Sequence, residues 1–348
     1  MLMPIDVINK ETNMIRRIAG DFTRHPQQIN KLLEADAEVI RLNSHEEYTV
    51  LKTDGIHEEI REKLYVDPYL IGWMTVTAPV SDIAAVGAVP SGILLSLTLM
   101  KHFKEDWMNK FKAGINDACS SYNIHVLGGD TNFDDRVSIN ATVIAHIKSS
   151  HPLFRTGIQK GDYLYATARL GTGNAYAYSR YFNEALKIDY RPLARLAESR
   201  LIKEFATACT DTSDGLFPAL AVLSEINKVG FSLDVSLQQI LSEEASIIYQ
   251  YSNLPAWSLL AGPHGEYELL FTIPQRKHDD FKAFCLREEW NALYIGRVTS
   301  DMNIDFLSDG MHVRCHPATI ANLFYESGGN VSAYFKLLMK QHQNWKEN

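Results

Sequence analysis

The chain has 348 residues, 46% of them hydrophobic and 22% charged, which is typical of a globular protein and excludes a disordered one. The formal net charge of −8 argues against a general nucleic-acid-binding protein. The four cysteines are far apart and form no C-x-x-C pair, which predicts free thiols in a reducing compartment and therefore a cytoplasmic location. We expect no signal peptide and no membrane partner, because no run of about 18 apolar residues occurs.

The length favours two domains, and the first half of the chain predicts an irregular mixture of helices and strands. Pro79 lies inside one predicted helix and is expected to kink or divide it. The predicted elements are a helix at 11–33, strands at 38–42 and 48–53, a helix at 68–87, a strand at 92–100, a helix at 107–122, and strands at 124–127 and 137–147. Because neighbouring strands look antiparallel, the pattern predicts an α+β fold and not a regular doubly wound sheet.

A polar segment with Pro152 and Gly157 predicts a boundary between the two domains. The predicted elements after it are a strand at 163–168, helices at 175–184, 192–208 and 216–228, strands at 231–235, 268–273 and 293–298, and a hairpin turn at Asp309-Gly310. The sequence therefore predicts an N-terminal domain over 10–148, a C-terminal domain over 155–317, and a helical tail over 318–348, in which 330–348 form a loosely attached helix.

Carboxylates beside glycines or at element ends recur along the chain and are candidates for a metal site. They are Asp36, Asp54 in Thr53-Asp54-Gly55, Asp82, Asp130 in Gly129-Asp130-Thr131, and Asp211 and Asp214 in Asp211-Thr212-Ser213-Asp214-Gly215. Singly, each pattern is equally typical of a turn or a helix cap. Converging on one pocket, they would suit Mg²⁺, which takes hard oxygen ligands together with phosphate oxygens.

Other common sites are not supported by the sequence. The segment Leu170-Gly171-Thr172-Gly173 is only half of a dinucleotide-binding fingerprint, and no G-x-x-x-x-G-K-[ST] loop occurs. The histidines lack zinc-ligand spacing, and there is no G-x-S-x-G elbow. The start of the helix after Asp214 remains open to two interpretations, a simple capped helix or a phosphate site.

Taken in order, six segments resemble the superfamily of aminoimidazole-ribonucleotide synthetase (AIR synthase) and thiamine-monophosphate kinase, and the kinase branch most. The segments lie at 71–73 with 80–90, 95–99, 127–131, 155–162, 211–216 and 266–272. The resemblance implies two α+β domains, a homodimer joined through strands of the N-terminal domain, and ATP bound between the subunits. It also implies transfer of the γ-phosphoryl group of ATP to thiamine monophosphate, with Mg²⁺.

The same resemblance implies roles for individual residues. Metal binding would fall to Asp36, Thr53, Asp54, Asp82, Asp130, Asp211 and Asp214, and ATP binding to Gly129, Asp130, Arg155 and Ser213. Asp130, Asp214 and Arg155 would be catalytic, and Arg61 and Glu266 would contact the acceptor. Such an arrangement suits phosphoryl transfer, in which positioning and charge neutralisation supply most of the catalysis.

Three departures from the family pattern affect mainly the acceptor half. The family's Gly-Asp-Asp-Ala reads Glu34-Ala35-Asp36-Ala37, Arg61 replaces a substrate-binding His, and Gly265 replaces an acidic residue. Since Arg favours an anionic partner, these changes predict weak turnover of thiamine monophosphate. Two alternatives therefore stay open beside the kinase: an ATP-dependent synthetase like AIR synthase, and a non-catalytic nucleotide-binding protein.

Overall fold

Two β-sheets organise the protein, whose computed structural model describes residues 8–41, 47–102, 104–148 and 151–347. The first sheet has the order β1-β2-β5-β3-β4, with every pair antiparallel except β3 and β4. Its strands are β1 (Glu38–Arg41), β2 (Glu47–Gly55), β3 (Val89–Leu99), β4 (Val126–Phe133) and β5 (Ser138–Lys148). Along β5, buried and half-buried residues alternate strictly, so one face of this sheet is covered by the protein and the other is not.

The second sheet has the order β12-β11-β8-β10-β6-β9-β7. Its strands are β6 (Tyr163–Ala166), β7 (Ala208–Asp211), β8 (Gly230–Ser236), β9 (Leu269–Ile273), β10 (Leu293–Thr299), β11 (Ile304–Ser308) and β12 (Met311–Cys315). All five residues of β9 are buried, as expected for a strand covered on both faces. The predicted hairpin at Asp309-Gly310 is confirmed, since β11 and β12 pair across it.

Helices cover the sheets and connect them. They are α1 (Lys10–Ala19), α2 (His57–Arg61), α3 (Pro68–Ala85), α4 (Glu105–Tyr122), α5 (Thr172–Phe182), α6 (Leu196–Ile202), α7 (Leu216–Asn227), α8 (Leu237–Ile240), α9 (Glu243–Tyr251), α10 (His278–Arg287), α11 (Pro317–Glu326) and α12 (Val331–Glu347), with short 3₁₀ turns at Ala256–Leu260 and Gln275–Lys277. Among the described residues, no helix is long and apolar enough to cross a membrane.

The central helix α3 contacts strands of both sheets and is buried from Leu70 to Ala85. Its apolar residues surround the whole helix, which is typical of a helix inside a core, and each fully buried large side chain contributes roughly 1.5–3 kcal/mol. Pro79 lies within α3 without dividing it. Ser81 and Asp82, near the C-terminal end of α3, are therefore held rigidly between the sheets.

The sequence located most of these elements, but the bounds of three predicted elements were wrong. The helix predicted over 11–33 ends at Ala19, and Phe22 is exposed instead of packed. The helix predicted over 192–208 spans only α6, because 208–211 pairs with β9 as strand β7. The strand predicted over 124–127 continues as β4 to Phe133, since it pairs with β3 along that length. Position 42 and positions 149–150, which fall in a predicted strand and the predicted boundary, lie outside the described residues.

The C-terminal tail packs firmly and is not a loosely attached helix. In α12 the side chains of Tyr334, Leu338 and His342 are buried, and Trp345 contacts Trp257 edge to face with 4.9 Å between ring centroids. The Tyr334 hydroxyl donates a hydrogen bond to the Gly262 carbonyl. Amphipathic spacing predicted the helix, but the aromatic contacts that attach it are visible only in the fold.

Candidate active site

A deep cleft of about 1240 Å³ opens between α1, β2, α3 and the loops that flank β7 and precede β9. Its wall is mostly polar and carries several acidic side chains. The polar residues that line it include Glu11, Asp36, Glu38, Lys52, Asp54, Glu59, Asp82, Arg155, Ser213 and Asp214. Five of the seven residues predicted as metal ligands therefore reach this cleft or its immediate floor, together with Arg155 and Ser213.

Three of the aspartates converge on one point of the cleft floor. Ligand atoms of Asp36, Asp82 and Asp211 all lie within 4.8 Å of one another, and all three residues are buried. Asp36 precedes β1, Asp82 lies on α3, and Asp211 ends β7, so the group joins both sheets and the helix between them. Burial, with Asp36 close by, raises the pKa of Asp211. Carboxylates in this situation are stabilised by a cation among them.

Each of the three carboxylates is oriented by a neighbour. The Arg155 guanidinium donates to both Asp36 oxygens, at 2.6 Å from Nη2 and 3.1 Å from Nε. The Ser81 hydroxyl donates to Asp211 at 2.6 Å. Arg155, predicted to hold ATP phosphates, therefore also fixes the position of a predicted metal ligand, and it still lines the cleft.

Lys52 supplies a second cation to the cleft floor. Its Nζ lies 3.1 Å from Asp82 Oδ1, and its side chain is only 26% exposed. Burial acts to lower the pKa of Lys52, but Asp82, Asp54 and Asp36 outweigh it and raise the pKa, so the ammonium stays charged. Sequence reasoning missed this residue, since a lysine beside Thr53-Asp54-Gly55 is indistinguishable from a surface lysine on a strand.

Asp54, Ser213 and Asp214 form the rim above the three buried aspartates. Asp54 follows Lys52 by two residues on β2, and alternation along the strand therefore points both side chains into the cleft. Ser213 Oγ donates to Asp211 at 3.1 Å. Asp214 is exposed in the cleft immediately before Gly215, which has φ +88° and precedes α7. The loop 211–215 thus brings two carboxylates and a hydroxyl to a helix start.

Asp130, Gly129 and Thr53 lie outside this cleft. One row of paired residues crosses four strands of the first sheet. In order, it contains Gly55, Asn140, Ser96 and Asp130. Because a row crosses three strand spacings of about 4.8 Å each, Asp130 lies roughly 14 Å from Gly55. Paired residues in one row point to the same face of the sheet, so Asp130 is on the face of Gly55. Asp54, the neighbour of Gly55 along β2, points to the opposite face. Asp130 accepts a hydrogen bond from Asn132, at 2.6 Å, in the exposed edge strand β4.

Thr53 and Gly129 have local roles in the sheet. Thr53 Oγ1 lies 2.8 Å from Thr142 Oγ1, on the uncovered face of the sheet. At Gly129 a Cβ atom would lie 1.9 Å from the Leu95 carbonyl oxygen, so only glycine permits β4 to approach β3 here. In a single chain, these positions cannot join Asp36, Asp82 and Asp211.

The two predicted acceptor residues also lie away from the cleft surface. Arg61 is exposed and pairs with Glu58 at 3.5 Å and Glu62 at 3.3 Å. Glu266 is buried and accepts hydrogen bonds from the Gly171 amide at 2.6 Å and the Thr212 hydroxyl at 2.8 Å. Burial raises the pKa of Glu266 to about 8, and its partners tie the β6–α5 loop to the loop after β7.

Gly265 stands where the family resemblance implies an acidic residue, but there is no room for a side chain at this position. A Cβ atom at this position would lie 1.6 Å from the Thr212 carbonyl oxygen. The backbone here is packed directly against the loop that holds Asp211 and Asp214. The missing carboxylate is therefore a consequence of close backbone packing, and not an empty place that one substitution could fill.

A glutamate and a tyrosine cluster, both missed by sequence reasoning, line the opposite end of the cleft. Glu59 on α2 lies there, and its buried Oε2 has no hydrogen-bond partner among the described residues. Tyr65 and Tyr190 stack with 6.3 Å between ring centroids, and Tyr190 donates a hydrogen bond to the Gly265 carbonyl at 2.8 Å. Burial raises the pKa of Glu59 to about 7. A carboxylate beside aromatic rings is an environment that favours a cation.

The donor set of the cleft floor fits Mg²⁺. All candidate ligands are carboxylate oxygens, and three of them are already within the span of one coordination sphere. Asp54 and Asp214 stand at the open side, where phosphate oxygens could complete the coordination. Among the residues that the structure describes, no cysteine or histidine joins the group, which argues for a hard cation and against zinc.

Comparisons with known proteins agree with this fold. The sequence model of the family "AIR synthase related protein, N-terminal domain" matches residues 34–147. The thiamine-monophosphate kinase of Buchnera aphidicola subsp. Acyrthosiphon pisum is 28% identical over 72% of this chain and 79% of its own length. The thiamine-monophosphate kinase of Escherichia coli K12 is 27% identical over 70% of this chain and 77% of its own.

A solved structure, AaThiL complexed with AMPPCP and TMP, shares the fold. Its TM-score is 0.69 at 22% sequence identity, and the match covers 90% of this chain and 97% of that one. The predicted α+β fold of AIR-synthase type is confirmed by this likeness and by the two sheets of mixed connectivity. Over residues 34–147 the sequence is therefore similar to the AIR synthase-related N-terminal domain, and over most of its length the chain is similar to the thiamine-monophosphate kinases.

Proposed function

We propose that this protein is an ATP- and Mg²⁺-dependent kinase that phosphorylates thiamine monophosphate to thiamine diphosphate. The observation that carries the proposal is the convergence of Asp36, Asp82 and Asp211 on the floor of a polar cleft. The relatives named thiamine-monophosphate kinase, and the fold shared with AaThiL bound to AMPPCP and TMP, support the choice of donor and acceptor. The predicted cytoplasmic location stays a prediction.

In the reaction, the bond between the γ-phosphorus and the bridging β–γ oxygen of ATP breaks, and a bond forms to an oxygen of the acceptor's phosphate. Mg²⁺, when bound, would neutralise charge on the phosphates. Asp36, Asp82, Asp211, Asp54 and Asp214 would hold it. Arg155 keeps Asp36 in place, and both Arg155 and Ser213 line the cleft where the phosphates would lie. Positioning and fixed charge are what phosphoryl transfer chiefly requires.

We propose further that the active form is a homodimer joined through the first sheet. All eight residues of the edge strand β4 are exposed, including Leu127 at 57% and Phe133 at 60%. The uncovered face of the same sheet carries half-buried side chains such as Ile144 on β5. An unpaired edge beside apolar side chains is the surface that a second copy would cover. Asp130 and Gly129 lie outside the cleft of their own chain. In a dimer, they would contribute to the cleft of the second subunit.

The acceptor end of the cleft favours a cationic acceptor. A smaller pocket adjoins this end of the cleft, and among the described residues no Lys or Arg lines it. Five carboxylates do: Glu11, Glu58, Glu59, Glu62 and Asp214. The weak turnover predicted from the sequence depended on Gly265 and on Arg61, and Arg61 is exposed and paired on the outside of α2. Glu59 and the stacked tyrosines provide a different means of binding the thiazolium ring.

The experiment that tests the function is phosphorus NMR of the purified protein with ATP, MgCl₂ and thiamine monophosphate. We expect the diphosphate ester signals of the product to appear together with ADP. An Asp82→Asn variant, which keeps the shape of the cleft floor, serves as the control for contaminating kinases. Release of inorganic phosphate without a phosphorylated acceptor would favour a synthetase, and absence of ADP would favour a nucleotide-binding protein.

A further inference from the structure

Lys52 places a positive charge among the candidate metal ligands of the cleft floor. Its ammonium pairs with Asp82 at 3.1 Å, and Asp82 is one of the three converging carboxylates. The buried Asp82 carboxylate keeps the ammonium in this position, because it would be left without its partner if the lysine moved away. The positive charge is therefore a fixed part of the cleft floor.

Ala35 is the complementary change. It lines the cleft beside Asp36, at a position where the family resemblance would place a second aspartate. The chain thus lacks one anionic ligand of the family pattern and holds one partly buried cation in the same cleft. Together, the loss of a negative charge and the presence of a positive one change the local charge by as much as one divalent ion would.

We propose that the Lys52 ammonium takes the place of one divalent cation at this site, so that nucleotide binds with one metal ion fewer than the carboxylates alone would require. The inference rests on the proposed function, since it assumes that a nucleotide triphosphate occupies the cleft. Lysine can act in this way because its ammonium offers three N–H donors to carboxylate and phosphate oxygens at once. One ammonium does not neutralise all of the carboxylates. The set Asp36, Asp54, Asp82, Asp211 and Asp214 therefore still needs Mg²⁺ to accept a triphosphate.

The test counts metal ions directly and does not depend on turnover. Free Mn²⁺ is measured by electron paramagnetic resonance while Mn²⁺ is titrated into the full-length protein with saturating AMPPCP. We expect Lys52→Met to bind one Mn²⁺ more per chain than the wild type, or to bind its last Mn²⁺ at least about ten-fold more tightly, a change of 1.4 kcal/mol. Lys52→Arg, which keeps the charge, should retain the wild-type number.

Lys110→Met is the matched control, since Lys110 also pairs with an aspartate, Asp106 at 3.0 Å, but on the exposed surface of α4. Equal Mn²⁺ numbers and affinities in Lys52→Met and the wild type would overturn the inference. If Lys52→Met is unstable, Mn²⁺ should raise its melting temperature more than that of the wild type. A variant that stays unfolded in Mn²⁺ would also overturn it, because a metal could then not replace the ammonium. Failure of wild type to bind AMPPCP would instead refute the proposed function together with this inference.

Discussion

Arg155 and Asp36 form a bidentate ion pair between residues 119 positions apart in the chain, with Nη2 to Oδ1 at 2.6 Å and Nε to Oδ2 at 3.1 Å. The carboxylate of Asp36 is almost completely buried, and Thr210 also donates a hydrogen bond to it at 2.8 Å. The pair joins the segment before β1 to the segment that enters the second sheet. It therefore serves both the fold and the geometry of the cleft floor.

Arg155→Met should destabilise the protein by about 3 kcal/mol, because the buried Asp36 charge loses its main partner. Urea unfolding of the protein without ligand measures this change. Arg314→Met is the control, since Arg314 makes a similar ion pair with Asp305 on the surface, where such pairs contribute about 0–1 kcal/mol. Equal losses of unfolding free energy in the two variants would contradict the prediction that the Arg155–Asp36 ion pair stabilises the fold more than a surface ion pair does.

AMPPCP should stabilise the protein against heat only when Mg²⁺ is present. Asp54, Asp82 and Asp214 would otherwise repel the triphosphate more strongly than Lys52 and Arg155 attract it. At about 100 times its dissociation constant, the ligand should add about 2.7 kcal/mol. Thermal melts with MgCl₂ and with EDTA measure the difference, and equal stabilisation in EDTA would contradict the metal requirement.

Asp214→Asn and Asp130→Asn should each abolish turnover without unfolding the protein. We expect Asp214→Asn to inactivate the cleft of its own chain and Asp130→Asn to inactivate the cleft of the second subunit. Asp214 lines its own cleft, whereas Asp130 lies on the edge strand of the proposed dimer interface. A mixture of the two inactive variants should therefore regain activity. If subunits exchange freely, half of the dimers contain one intact site, so about a quarter of wild-type activity is expected.

The same mixture separates the possible outcomes. No recovery of activity, with exchange proven by light scattering and native mass spectrometry, would mean that Asp130 acts in its own chain. Full activity in either single variant would remove that residue from the site. A monomer in light scattering at micromolar concentration would contradict the dimer itself.

Glu59→Gln should weaken binding of thiamine monophosphate by about ten-fold at pH 8, because the ring cation loses its counter-ion. Burial raises the pKa of Glu59 to about 7. The wild-type carboxyl is therefore mostly protonated and neutral at about pH 6, and mostly charged at about pH 8. Affinity measured by calorimetry should rise over this range more steeply in wild type than in Glu59→Gln.

Deprotonation of Glu59 should have opposite effects on binding and on folding: as pH rises, affinity for the ligand increases and stability of the fold decreases. Since the folded-state pKa of Glu59 is above its ordinary value of 4.5, the folded state binds the proton more tightly, and stability falls as pH rises through that interval. Glu59→Gln should therefore melt at a higher temperature than wild type at about pH 8 and gain less at about pH 5. Glu58→Gln, on the exposed side of α2, is the control; the same pH response in it would argue against a special role for Glu59.

Gly265→Ala should destabilise the protein severely, by at least about 3 kcal/mol, because a Cβ would lie 1.6 Å from the Thr212 carbonyl oxygen. Gly310→Ala is the comparison, since its φ of +77° adds strain of roughly 1 kcal/mol while nothing lies within 4 Å of its Cβ. Urea unfolding of both variants tests the prediction. A mild loss at Gly265, similar to that at Gly310, would show that the loop after β7 can move away.

The sequence by itself determined the local features of this protein. Alternation along 137–147 predicted a strand that the fold contains, because the side chains of a strand alternate between its two faces. The ordered motifs also predicted the superfamily and most of the cleft's aspartates. Such information is local, since it depends on residues that are close together in the chain.

The tertiary structure alone decided which of the candidate residues meet. Asp36, Asp82 and Asp211 converge because α3 lies between two sheets, whereas Asp130 lies on the opposite face of the first sheet. Alternation shows that a strand has two faces, but not which face the rest of the chain covers. The partners of Lys52 and Asp36, and the outward position of Arg61, depend on contacts between distant segments, and these are set by packing in three dimensions.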